Sequence, residues 1–405
     1  ETGQGTVSNE DGEFRFKKVP AGKYTLRVQL LGYETQEKKV TVSNDFTVDV
    51  HFLMSDESIM TDEVVVSANR NETSRKVAPV VVNVMNAKLF ESVNSTDLAK
   101  SLNYQSGLRV ENNCQNCGYQ QVRINGLDGP YTQILIDSRP IFSALAGVYG
   151  LEQIPANMIE RVEVMRGGGS ALFGSSAIAG TINIITKEPV RNSAQFSHTL
   201  TGIGDASVFE NNTTMNASLV SDNQKLGLAV FGQNRERAGY DHDGDGFTEL
   251  PELKSQTVGM RSYIKTRDYS KVTVEYHHLQ EHRRGGDQLA LPPHEALIAE
   301  QLKHSINTGG VKFDLFSPDE KQRLGIYASA QHIDRDSYYG GGEDLQEKLK
   351  SYGNTTDMTW VAGAQYNYNF DRCLFMPATL TAGAEYNQDR LKDNMWGRGR
   401  YLDQR

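Results

Sequence analysis

The sequence predicts a mostly β protein in three parts: a small all-β unit, an α+β domain, and the N-terminal part of a transmembrane antiparallel β-barrel. Three observations carry that reading. Residues 122–187 hold three short apolar runs, Gln133–Asp137, Ile159–Val164 and Gly180–Ile185, each bounded by Gly, Asp, Pro or Ser as short strands are. Beyond residue 191 a longer alternation sets in: Trp360, Ala362, Ala364, Tyr366, Tyr368 and Phe370 alternate with Val361, Gly363, Gln365, Asn367 and Asn369. Leu380–Tyr386 and Val272–Tyr276 repeat it. An apolar face with aromatics near strand ends, opposite a polar face, suits lipid outside and a wet or filled lumen inside. A soluble sandwich gives the same alternation, but the length of these segments favours the barrel. Third, no run of 18 apolar residues exists, so no helix is predicted to cross a membrane. The mean hydropathy of −0.52 does not exclude a barrel, where only alternate residues meet lipid.

At 405 residues the chain has room for two or three domains. A net charge of −9 argues against a nucleic-acid partner, because phosphate contacts need clustered Lys and Arg. Cys114 and Cys117 form C-Q-N-C, which in an oxidising compartment reads as a disulfide tightening a small loop. Metal ligation needs more ligands than that pair supplies. The chain opens at Glu1 without a signal peptide, in what reads as mid-domain, so processing or truncation is expected.

The central stretch also contains Arg166–Ser176, whose four glycines permit a tight turn. A phosphate-cradling loop would need a lysine that is missing here. Glu160, Arg161, Glu163 and Arg166 fall on both faces of an alternating strand and read as ion-paired scaffold. Together, Ile134–Arg139, Ile159–Ser175 and Ala179–Lys187 closely resemble, in order, three phrases of the plug domain of TonB-dependent outer-membrane receptors. Gly168 stands for the usual Pro, Phe173 for Tyr and Ser138 for Gly; no charge or turn glycine at Gly167 or Gly174 is lost.

Residues 1–54 contain an alternating strand at Tyr24, Leu26 and Val28 after a Pro20-Ala21-Gly22 turn. The stretch resembles the carboxypeptidase regulatory-like domain, a β-sandwich, with its first strand missing. It holds no zinc ligands, and the chain is not expected to be an enzyme. In the linker 55–75, Asp62, Glu63, Val64, Val65, Val66, Ser67 and Ala68 look like the Ton box. Such a segment is extended and β-branched, suited to adding a strand to a partner sheet; an ordinary strand of a neighbouring domain is the alternative. The resemblance implies a plug over 76–190, with a strand at Val80–Val84 and a helix at Ser95–Leu102 capped by Ser95 or Thr96. It also implies substrate contacts at the plug apex, for which Cys114, Cys117, Tyr119, Phe142 and Tyr149 are candidates; loop rigidity alone is the competing reading. About nine barrel segments fit between Phe196 and Asp389 in 191–405. Plugged transporters have about 22 strands, so the remainder is expected from residues beyond this chain or a second one.

Asp241-His242-Asp243-Gly244-Asp245-Gly246-Phe247-Thr248-Glu249-Leu250-Pro251-Glu252 places carboxylates at positions 1, 3, 5, 9 and 12 with glycine at 6. That is the spacing of an EF-hand calcium loop, so Asp241, Asp243, Asp245, Phe247 (through its carbonyl), Glu249 and Glu252 are candidate calcium ligands. A plain acidic loop is the alternative. His277, His278, His282 and His294 cluster near a long polar loop, Gln280–Ala299, and read as solvent-exposed loop histidines, with contact to a metal chelate such as haem as the sharper reading.

The resemblance implies an outer-membrane importer of a scarce metal chelate (ferric siderophore, haem or cobalamin) that works with a TonB-type energy-coupling protein and sits in outer-membrane lipid. The alternatives are an oligosaccharide or peptide importer with a surface lipoprotein lid, and a signalling or adhesion receptor.

Overall fold

The computed structural model describes residues 5, 6, 8, 9, 12–28, 36–43, 47–54, 64–67, 70, 73–75, 78, 80–114, 118–140, 146–174, 176–204, 206–319 and 321–404. The chain divides into two compact units, 1–63 and 64–405. In the first, β1 (Gly22–Val28) and β2 (Gln36–Val42) form an antiparallel hairpin paired from Gly22↔Val42 to Val28↔Gln36. Tyr24, Leu26 and Val28 are half-buried and Lys23, Thr25 and Arg27 exposed, as the alternation predicts.

The second unit begins with a short ladder of β3 (Val64–Val65) and β4 (Thr73–Ser74). An α+β domain follows, built on a four-stranded sheet. Its strands are β5 (Val82–Asn86), β8 (Thr132–Ile136), β9 (Ile159–Arg166) and β10 (Gly180–Thr186), in the order β5-β9-β10-β8. Only β10 and β8 run parallel. Ile182 pairs with Val164 and Ile134, and Ile184 with Val162 and Ile136, so one face is a continuous β-branched layer. Against it pack α1 (Ala87–Ser92), α2 (Leu98–Leu102), the hairpin β6 (Leu108–Cys114) and β7 (Tyr119–Ile124), and α3 (Ala146–Gln153). Phe90, Leu98, Leu102, Val122, Ile124 and Leu151 fill this core, each burial stabilising by roughly 1.5–3 kcal/mol. The other face carries Leu135, Met165 and, from α4 (Ser170–Phe173), Phe173. Gly167 and Gly174 bracket that turn at φ of +91° and +90°, a region L side chains avoid.

Two local expectations are corrected. The first strand starts at Val82, not Val80, and α2 is capped by Asp97, whose carboxylate accepts from Lys100 N, not by Ser95 or Thr96. A carboxylate at this position complements the helix start better than a hydroxyl.

From Ser193 a ten-stranded antiparallel sheet wraps the α+β domain, each strand pairing with the next. It comprises β11 (Ser193–Ile203), β12 (Val208–Val220), β13 (Leu226–Arg237), β14 (Glu252–Arg267), β15 (Ser270–Gly286), β16 (Ile298–Phe316), β17 (Gln322–Gly341), β18 (Tyr352–Cys373), β19 (Met376–Met395) and the short β20 (Arg400–Gln404). Trp360, Tyr366, Leu380 and Tyr386 are exposed on its outer face, while Thr355, Asp357, Thr359 and Val361 are buried on the inner one. A short helix, α5 (Leu345–Leu349), interrupts one connection. Connections at 221–225, 268–269, 317–321 and 374–375 are short and gather at one end; those at 238–251, 287–297 and 342–351 are long and gather at the other. Among the described residues no helix is long and apolar enough to cross a membrane.

Candidate functional site

The first candidate site lies where the segment after Val64 meets the sheet. Val65 and Ser67 are fully buried. Val66 N and Ser67 N each donate to Glu163 Oε2 at 2.8 Å, and Ser67 Oγ donates to the same oxygen at 2.7 Å. Arg161, two residues before Glu163 and on its face, completes the carboxylate at 2.9 Å. Asn183 on β10 donates to Ser67 Oγ and to Ser138 Oγ, both at 3.1 Å, and its oxygen accepts from Ser138 N. Arg70 then reaches outward: its guanidinium pairs with Glu385 at 2.8 Å, donates to Tyr327 OH at 3.1 Å, and lies 4.8 Å from the centre of the Phe173 ring. Thus Val65–Ser67, with Val65 and Ser67 buried, is pinned to β9 and β10, and Arg70 ties its continuation to the barrel wall. Asp62, Glu63 and Ala68 lie outside the described residues.

Beside it is a cavity of about 340 Å³ between the α+β domain and β14–β18, lined by Val66, Arg70, Asp137, Arg139, Arg261 and Glu275 among others. Asp137 and Ser138 form a tight turn at φ of +48° and +66°, closed by reciprocal backbone bonds between Ile136 and Arg139. The turn thrusts Asp137 at the wall, where Arg261 meets it at 2.5 Å. Arg261 also binds Glu188 at 3.0 Å, and Arg139 binds Glu275. Burial alone would raise the Asp137 carboxyl, but Arg261 and Arg139 outweigh it and hold it below the usual carboxylate range.

Towards the long-loop end a second ionic contact joins domain to wall. Asp97 caps α2 with one oxygen and pairs with Arg235 at 2.8 Å with the other; Arg235 also holds Glu210 at 3.1 Å. Arg283 pairs with Glu152 at 2.5 Å and Glu281 at 2.8 Å, and donates to Gly118 O. Removing one member of such a buried set costs about 3–5 kcal/mol, because its partner is left charged and dry.

Gly118 places the hairpin tip of β6 and β7 at the long-loop end, where Cys114 Sγ lies 3.2 Å from Glu300. Of the apical candidates, Cys117 and Phe142 lie outside the described residues, and only the backbones of Tyr119 and Tyr149 are described. The acidic loop 241–249 is at this end too. Single oxygens of Asp241, Asp243, Asp245 and Glu249 lie within 4.8 Å of one another, with no Lys or Arg ion-paired to them among the described residues. Gly244 N and Gly246 N donate to Asp241, curling the loop inward. Glu252 is outside this group: it opens β14 and pairs with Lys254 at 2.9 Å. His277, His278 and His282 belong to β15 and not to a loop, and His294 bonds Tyr352 OH, which corrects the reading of a loop cluster.

Glu163, Asn183 and Asp137 were not legible as site residues. A usable signal existed for two of them: a charge in Val162-Glu163-Val164 and an amide in Ile182-Asn183-Ile184 sit inside apolar runs and require buried partners.

Residues 74–181 match the TonB-dependent Receptor Plug Domain, and residues 1–66 match the CarboxypepD_reg-like domain. The chain carries the plug domain of a TonB-dependent receptor. A vitamin B12 transporter of Vibrio vulnificus is 23% identical over 351 residues, 85% of this chain and 52% of that protein. The ferric enterobactin receptor PirA of Pseudomonas aeruginosa is 27% identical over 52% of this chain and 30% of its own length. Among solved structures, the siderophore receptor PirA of Acinetobacter baumannii superposes with a TM-score of 0.64 at 20% identity, covering 78% of this chain and 48% of that one. The alcaligin receptor FauA of Bordetella pertussis gives 0.62 at 15%, covering 84% and 53%. The chain thus matches between about a third and a half of the length of these relatives. The plug is the α+β domain, and the wall around it has the fold of the receptor barrels.

Proposed function

We propose that the receptor imports a scarce metal chelate (ferric siderophore, haem or cobalamin) across the outer membrane, driven by a TonB-type energy-coupling protein. The observation that carries this is the docking of Val65–Ser67 on Glu163 at the short-turn end, beneath a plug ion-paired to the wall. Extended backbone held by a few hydrogen bonds to one carboxylate can be withdrawn and offered to a partner's sheet edge. Its withdrawal takes away Val66, part of the lining of the plug–wall cavity. The relatives named for vitamin B12 and ferric enterobactin support a chelate as cargo.

Substrate enters from the long-loop end, with Cys114, Cys117, Tyr119, Phe142 and Tyr149 as the proposed contacts. Calcium held by Asp241, Asp243, Asp245 and Glu249, with the Phe247 carbonyl, orders the loop above them. Four converging carboxylates without a Lys or Arg ion-paired to them among the described residues are an oxygen-rich set that suits this hard cation. The outer apolar face lies in lipid, and none of these roles calls for enzymatic chemistry.

Calorimetric titration of the intact, detergent-purified receptor with haem, cobalamin and a panel of ferric siderophores tests the reading. Tight binding of one chelate supports it. Binding of an oligosaccharide or peptide, with no chelate bound, replaces it with a lidded importer.

A further inference from the structure

Register orders the inner wall beside the plug–wall cavity into three rows. Lys271, Asp314, Gly325 and Gln365 lie side by side nearest the short-turn end; Thr273, Lys312, Tyr327 and Gly363 form the next row, and Glu275, Gly310, Ser329 and Val361 the third. The lowest row is the mouth: Lys271 and Glu188 keep 27% and 39% of their side chains exposed, and Val190 is exposed. Gly325 faces open space, since a Cβ there would meet only Asp314 Oδ1, at 3.6 Å. The upper rows form a roof. Arg139 of the plug donates to Ser329 and Glu275 in the space that Gly310 leaves, and Tyr327 lies against Gly363, where a Cβ would stand 2.5 Å from its hydroxyl. Tyr327 is held there by donating to Glu385 at 2.5 Å and accepting from Arg70 at 3.1 Å. Val66, docked on Glu163, and Arg70, in its continuation, complete the lining.

We propose that this cavity is the exit vestibule of the transport route, and that withdrawing Val66 and Arg70 opens it upward along β17 and β18 while the plug stays in the wall. This rests on the import reading above and adds to it the class of cargo: a hydrophilic chelate, admitted for its polarity and not for the sign of its charge. Two observations carry it. Both side chains that withdrawal removes are lining, and Arg70 steadies Tyr327 in the roof; Asp137–Arg261 and Arg139–Glu275 join plug to wall without them. The lining is also polar and close to neutral. Among its 22 described residues twelve are charged, seven basic and five acidic, against three aliphatic ones, Val66, Ile185 and Val190. Two of the bases, Arg70 and Arg161, are paired with Glu385 and Glu163 beyond the lining, which evens the balance. Withdrawal removes Arg70 and uncovers Glu385 and Glu163, so six bases then face seven acids and the passage stays near neutral. Paired charges of both signs keep such a passage wet, and an apolar surface would gain nothing by displacing that water.

The test is planar-bilayer conductance of the intact receptor in a Cys373→Ser background. Parent receptor is expected to be silent, and the Arg70→Ala, Glu163→Gln double variant to conduct with a cation-to-anion permeability ratio within about threefold of one. Adding Gly325→Cys to that variant puts a thiol inside the vestibule at a position with room for a side chain. Cationic and anionic methanethiosulfonates should each then cut the conductance by about half or more, and leave the double variant without that substitution unchanged. Conductance untouched by either reagent overturns the vestibule, and a pore strongly selective for one sign overturns the cargo class. The labelling rate of Val66→Cys separates the remaining failures. Silence with fast labelling sinks the vestibule alone; silence with labelling as slow as in the parent means that the segment never left, and the withdrawal step of the import reading falls with it. A heat-shifted gel band reports folding; if the double variant lacks it, Arg70→Ala alone is compared.

Discussion

Ser67 Oγ donates a 2.7 Å hydrogen bond to Glu163 Oε2, and both side chains are fully buried. Two backbone amides converge on the same oxygen, so one carboxylate anchors the whole Val65–Ser67 stretch. Hydrogen bonds to a charged acceptor are worth about 1.5–3 kcal/mol each. Glu163→Gln replaces the charge with an amide whose NH₂ faces other donors. The exchange is expected to raise the labelling rate of a cysteine placed at Val66 by tenfold or more, whereas Glu160→Gln, an exposed neighbour, should leave it unchanged. Equal rates in both variants would mean that the anchor lies elsewhere.

Arg70 is the second restraint and acts on a different body. Its ion pair with Glu385 is partly buried, at 10% and 22% side-chain exposure, and shares Tyr327 as a third member. A double-mutant cycle of Arg70→Ala and Glu385→Gln, read by the same labelling rate, should show a coupling of about 1 kcal/mol or more. Additive effects would remove Arg70 from the restraint and leave it as a surface contact of the Phe173 ring.

The Asp137–Arg261 pair predicts a pH response. Asp137 is held below its ordinary value, so its charge stabilises the plug–wall contact above the unfolded carboxyl range near pH 4. That contribution is lost as pH falls through the lower, folded value. Hydrogen exchange at residues 136–139 is therefore expected to stay slow from pH 7 to 5 and to accelerate in the acid range. Asp137→Asn should already exchange fast at pH 7. Acceleration between pH 7 and 6 would point to a histidine instead.

Much of this architecture was legible because it rests on local pattern. Trp360–Phe370 and Leu380–Tyr386 alternate as strands with one lipid-type face, and nine segments were expected where β11–β19 stand, with short β20 as a tenth. The docking site was less legible. Arg70 meets Glu385 across 315 residues and Ser67 meets Glu163 across 96, and no periodicity reports contacts of that separation. Glu163 read as scaffold because its partners are backbone amides, which every residue has. His277, His278 and His282 read as a loop because polar residues alternate on both sides of the wall here, and polarity alone does not distinguish a wet strand from a turn.

The acidic loop supplies a last prediction, in which geometry refines spacing. Glu252 fills position 12 of the calcium-loop pattern, yet it belongs to β14 and pairs with Lys254, while Glu249 at position 9 joins Asp241, Asp243 and Asp245. The loop is stapled to the end of β15 by Thr248 N to Gly286 O and Gly286 N to Thr248 Oγ1. Like-charged carboxylates packed this closely repel without a cation, and calcium on a partly exposed loop of this kind is expected to bind at roughly 10⁻⁴–10⁻³ M. Calorimetry of the intact receptor should find one such site, abolished in Asp243→Asn with Asp245→Asn and retained in Glu252→Gln. Chelator should speed protease cleavage at 243–246 in the parent and change nothing in the double variant. No heat of binding at 10 mM calcium, with cleavage indifferent to chelator, would leave the loop as an acidic surface turn held by its own amides.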